Sequence, residues 1–313
     1  MLERLKWPGL AVVLGGLGAL VRRWQMSSAF EETLGLSQPG APASLALIAC
    51  FILVAAVFLL LARNTSCRMK KERRMSRWDY VFAAEGDGVY LTLMVLAGLL
   101  TVLAVPFLFR EAAQLIALRR ATGEGDNGML QLVLALAAIP AALSLVISAR
   151  NACRMKGRGK ENCVLLLPVV LGCIWLLEAY RANAADPTIW HYAPLLLAIA
   201  MGMLFFLDCA GLSFELGHAR RMLWLAAMTV VSSAAALASM PGKAMMALLA
   251  GQLLAALAAL WVAPANLAHP PAEDRFGLRA RLRQGLPLNE EDENEVEETD
   301  SDTQEIQEED THV

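Results

Sequence analysis

Residues 88–109 read GVYLTLMVLAGLLTVLAVPFLF, without one charged side chain, and Arg110 and Glu111 follow at once. A helix of ~20 mostly apolar residues crosses the ~30 Å hydrocarbon core of a bilayer, and this stretch has that length and character. Working outward, the uncharged stretches 33–62, 127–149, 187–207, 222–242 and 244–272 read the same way. Two shorter ones, 7–21 and 162–177, are flanked by side chains able to snorkel or pair, Arg22–Arg23 and Glu178–Arg181. The chain is therefore expected to be all-α, a polytopic transmembrane helical bundle of eight spans. Arg4 and Lys6 ahead of the first stretch also suit a signal peptide. No small-x-small cleavage site follows Val21, however, and Arg22–Arg23 are out of place there, so 7–21 is read as a retained helix.

Composition agrees. Of 313 residues 57% are hydrophobic and 18% charged, against about a quarter charged in a soluble domain. The segment 290–313 holds 13 of the 30 acidic residues and no Lys or Arg, leaving 27 basic against 17 acidic residues elsewhere. These figures exclude a soluble globular protein, a wholly disordered one and a disulfide scaffold.

Basic residues orient the spans, because cytoplasmic connections carry an excess of Lys and Arg. Numbering the connections alternately, the set that includes both termini holds 20 Lys and Arg, and the other set holds 7. Both termini are expected in the cytoplasm, and the compact loops point to a bacterial plasma membrane. Cys67, Cys153 and Cys163 fall in cytoplasmic connections, Cys209 lies near the inner face, and Cys50 and Cys173 lie within spans. Disulfides are not expected. With no C-x-x-C pair and no nearby His, neither is a metal site.

A boundary recurs. Ala62-Arg63-Asn64 followed by Cys67-Arg68-Met69-Lys70 is echoed by Ala149-Arg150-Asn151 followed by Cys153-Arg154-Met155-Lys156. Both copies stand where an apolar helix meets a basic loop, which suggests a two-helix hairpin repeat with units at about 1–75, 76–160, 161–221 and 222–272. Units of two crossings return the chain to the same side, so such repeats are parallel and unlike the inverted repeats of many carriers. The third span should project outward as a helix through Thr122, and Ser76 should cap a short helix over 77–84 with Trp78 and Tyr80 at headgroup level. Pro106, Pro140 and Pro168 predict kinks. Beyond the spans come a basic juxtamembrane segment, 273–288, and an acidic tail, 289–313, with the composition of a disordered segment.

An ionisable residue within a span is costly and is a functional candidate by default. Asp208 is the clearest case. It is read either as a coupling carboxylate in an inner gate with Arg63 and Arg150 or as a salt bridge to one of them. At the outer side Arg22, Arg23, Arg110, Glu111, Glu178 and Arg181 have similar depth. They are read either as a mouth attracting an anionic solute or lipid headgroup or as snorkelling residues with local ion pairs. Gln131 and Gln252 read as helix–helix glue, and Gly15, Gly16 and Gly18 with the Ala-rich runs near 234–236 and 255–259 either as close-packing faces within the bundle or as a surface for a partner or a second copy. No nucleophile, metal set, P-loop or haem-binding His pair is present, so no cofactor, metal or enzymatic role is expected. The favoured reading is an accessory or scaffold bundle binding membrane partners, with membrane lipids, a second membrane protein or another copy as partners and no nucleic acid. The alternative is a carrier for a small solute or lipid, anionic or not, using the outer Arg/Glu ring and the inner Asp-Arg gate.

Overall fold

A computed structural model of the chain describes residues 2–30, 40–65, 77–122, 128–154, 159–184, 188–214 and 216–268. The expected basic segment 273–288, the acidic tail 289–313, Ser76 and Cys67 lie outside the described residues. The described residues are helical: α1 Leu2–Ser28, α2 Pro42–Asn64, α3 Arg77–Val81, α4 Gly88–Thr122, α5 Met129–Arg154, α6 Leu166–Ala182, α7 Ala193–Ser213, α8 Ala219–Ala238 and α9 Lys243–Ala268. Short 3-10 helices, Gly159–Leu165 and Ile189–His191, lead into α6 and α7. Among the described residues eight helices are long and apolar enough to cross a membrane, all but α3, with α6 counted from Asn162 in the 3-10 turn before it.

Local chemistry sets several of the ends. Pro42 and Pro194 stand in the first turns of α2 and α7, where a missing N–H costs nothing. Asp87 caps α4, its Oδ1 accepting from the backbone N–H groups of Val89 (3.1 Å) and Tyr90 (3.2 Å). Pro168 is the third residue of α6 and sits in its first turn, so it does not interrupt a helix interior, contrary to the kink expected there. Pro106 and Pro140 do lie inside α4 and α5.

Cross-helix contacts show that successive long helices alternate in direction. One end of the bundle joins the start of α1 to the start of α4 and the last turns of α9, through Arg4, Asp87 and Trp261. The other joins the end of α1 to the start of α2 and the end of α8, through Arg22, Gln25, Ser44 and Ser239. α4 overshoots the others. Its 35 residues at ~1.5 Å each reach ~52 Å, beyond a ~30 Å core, and Arg119 to Thr122 are exposed.

Small residues bring the helices together. Gly15 and Gly18 of α1 pack on Val231, Ala234 and Ala235 of α8, while Gly16 faces open space. Gly98 of α4 abuts the Ala142 carbonyl of α5, and Gly251 of α9 abuts the Ala97 carbonyl and Thr101 hydroxyl of α4. Such contacts maximise backbone approach where lipid offers no hydrophobic drive between helices. The small-residue faces thus serve packing inside the bundle. Neighbours α4/α5, α6/α7 and α8/α9 pack on each other, but α1 packs more extensively on α8 than on α2. α8 is the most enclosed helix, whereas α2 turns Leu45, Ile52, Leu53 and Leu60 outward.

Candidate functional site

The polar side chains collect at the two bundle ends and at one point between them. At the first end, the last turns of α1 place Arg22 wholly inside the protein, with 0% exposure. Its Nε donates to Ser239 Oγ at 2.8 Å, its Nη1 to Gln25 Oε1 and the Trp190 carbonyl (2.9 Å), and its Nη2 to the His191 carbonyl (2.8 Å). Four of a guanidinium's five N–H donors are thereby used, all on neutral acceptors. Gln25 passes the connection to α2 by donating to Ser44 Oγ at 3.0 Å. Phe30 packs against His191 with the rings tilted by 35° and their centroids 4.4 Å apart.

The six residues read as an outer mouth therefore occupy different environments. Arg22 is a buried tie, not a rim residue. Arg23, Arg110 and Arg181 are exposed, and Glu111 is half-buried. Glu178 is buried and accepts from Gln131 Nε2 at 3.1 Å, joining α5 to α6.

At the opposite end, Asp208 is 3% exposed and takes both oxygens to one arginine. Arg221 Nε donates to Oδ2 at 2.7 Å and Arg221 Nη2 to Oδ1, a bidentate pair across the α7–α8 connection. This corrects the expected partners: Arg63 and Arg150 are exposed on α2 and α5, and the carboxylate belongs to Arg221. A second tie centres on Asp87, whose Oδ2 accepts from Arg4 Nη1 at 2.6 Å and Trp261 Nε1 at 3.1 Å. Asn266 Nδ2 donates to the carbonyls of Val81 (3.0 Å) and Ala83 (2.8 Å), pinning the α3 turn to α9. Trp78 of α3 is buried at 2% exposure and packs on Phe82, so its ring faces protein and not lipid.

Between the ends, Gln252 Nε2 donates to the Ala198 carbonyl (3.0 Å) and Ser233 Oγ (2.8 Å), tying α9 to α7 and α8 as the glue reading expects. Two cavities lie inside the described helices, with room for water centres of about 10 and 30 Å³. That is space for about one water in the smaller and about two in the larger. None of the nine mouth and gate candidates lines either cavity.

Several residues of these ties were missed by the sequence reading: Gln25, Ser239, Arg221, Arg4, Asp87, Trp261 and Asn266. Asp87 carried a usable signal, an Asp directly before an apolar run, which is an N-cap pattern. Chemically the arrangement can hold helices in register. Among the described residues, no three His, Cys, Asp or Glu side chains stand together as a metal site. No protein-family description, curated protein or solved structure matches the chain.

Proposed function

We propose that this eight-helix chain is an accessory or scaffold protein of a membrane, whose rigid bundle presents surfaces to membrane partners. The observation that carries this reading is the use of the buried polar side chains. Arg22, Gln252, Asn266 and the Asp208–Arg221 pair each spend their hydrogen bonds on a neighbouring helix or connection. A carrier needs a polar site sized for its solute and two alternative packings around it. Here the middle of the bundle is filled by Ala, Leu, Val and Phe side chains. The projecting end of α4, with Leu118, Arg119 and Arg120 exposed, is the surface best placed for a partner beyond the lipid. The proposed setting is a bacterial plasma membrane with both termini cytoplasmic, which places the α4 projection outside.

Spin-label distances test this in nanodiscs. Labels on exposed positions of α5 and α7 should give one distance distribution at each end of the bundle. Two populations that shift in opposite senses at the two ends indicate alternating access and favour the carrier.

A further inference from the structure

The smaller cavity has a feature that the interhelical ties leave unexplained. Residues of α3, α4, α5, α7 and α9 line it, Trp78, Tyr90, Met94, Ser148, Phe206 and Cys209 among them. Ser148 is 1% exposed, and its Oγ has no hydrogen-bond partner. Ser213 Oγ, at the end of α7, shares that situation, but most hydroxyls elsewhere in the bundle avoid it by bonding their own helix. Thr92, Thr101, Thr229 and Ser232 each donate to the carbonyl four residues back, and Ser144 to the carbonyl three back. Ser148 stands in the same kind of helix and forgoes that bond.

A buried hydroxyl is normally paired with protein or with ordered water, and an exception needs a physical account. The cavity supplies one, for it has room for about one water centre, the minimum for a bound water. The fully buried phenol of Tyr90 lines the same space and brings a second hydroxyl, able both to donate and to accept. We infer that this cavity is a binding site for a single water, held by Ser148 Oγ and the Tyr90 hydroxyl. The water joins α5 to α4 beneath the α3 turn. It is a polar tie like the others, with solvent in place of a side chain.

X-ray radiolytic labelling of the full chain in nanodiscs tests the site, because hydroxyl radicals formed at a bound water modify the side chains around it. Met94 and Tyr90 should be labelled despite their burial, while Met222, also buried but not on the cavity wall, stays unlabelled and exposed Met240 reports bulk solvent. Ser148→Ala removes one partner of the water, and Ser148→Val also fills its space. Labelling of Met94 and Tyr90 should be lost in both, with Met240 unchanged. No labelling of Met94 and Tyr90 in the unmodified protein overturns the site. Labelling that persists in both variants overturns the role of Ser148.

Discussion

Arg22 donates a 2.8 Å hydrogen bond to the backbone carbonyl of His191, 169 residues further along the chain, and both sit at the same end of the bundle. That bond and its companions to Trp190, Gln25 and Ser239 lock α1 to the turn before α7 and to the end of α8. Replacing Arg22 by Leu leaves several buried acceptors without donors, at a cost of about 1–3 kcal/mol for each one left unpaired. A thermal-unfolding series in detergent should show a marked drop in Tm for Arg22→Leu. Arg22→Lys should fall between, since an ammonium lacks the planar fork. Exposed Arg23→Leu should stay within about 0.5 kcal/mol of the parent.

The Asp208–Arg221 pair predicts a specific coupling. In a double-mutant cycle of Asp208→Asn with Arg221→Gln, the interaction energy should fall within about 0.5–3 kcal/mol, the range for residues in contact. The cycles of Asp208→Asn with Arg63→Gln or Arg150→Gln should be additive within about 0.5 kcal/mol. Coupling to Arg63 or Arg150 instead would restore the gate that the sequence suggested.

Close helix contacts predict which glycines tolerate a methyl group. A Cβ on Gly202 would clash with Gln252 Oε1, and one on Gly251 would stand 2.8 Å from the Thr101 hydroxyl and 3.0 Å from the Ala97 carbonyl. One on Gly16 meets nothing within 4 Å. Gly251→Ala and Gly202→Ala should lower Tm, by the about 1–3 kcal/mol typical of overpacking. Gly16→Ala should match the parent or exceed it, as Ala favours helix.

Asn266 is the clasp on α3. Asn266→Ala should free the carbonyls of Val81 and Ala83 and loosen the turn that buries Trp78. Collisional quenching by acrylamide reads this directly in a variant retaining Trp78 as its sole tryptophan, with each replaced tryptophan changed to Phe. The quenching constant should rise on adding Asn266→Ala, and an unchanged constant would remove Asn266 from that role.

Helix number and position were legible in the sequence because both follow from local quantities, apolar length and its charged boundaries. Pro42 and Asp87 likewise announce helix starts through chemistry contained in a few residues. The ties were not legible, and the reason differs in each case. Arg22 and Arg23 are adjacent and alike in sequence, yet one is buried and the other exposed. Which of them turns inward depends on carbonyls at 190 and 191 that arrive only with the tertiary fold. Asp208 had several arginines at comparable depth to choose from, and the tight turn around Gly217, whose missing Cβ would stand 2.5 Å from the Leu212 nitrogen, delivers Arg221 rather than the others. Trp78 carried the chemistry of an interfacial aromatic, and only the packing of α3 against α7 and α9 takes it inside.

Side-specific labelling of single cysteines in sealed cells tests the central claim, eight alternating crossings with the Arg22 end outermost. Met240, 69% exposed, lies beside the Arg22 tie, and Leu216, 78% exposed, lies in the connection closed by Asp208 and Arg221. A membrane-impermeant maleimide should label Met240→Cys in intact cells and label Leu216→Cys only after permeabilisation. Labelling of both positions from the same side contradicts the alternating path. Labelling of Leu216→Cys alone in intact cells inverts the proposed orientation.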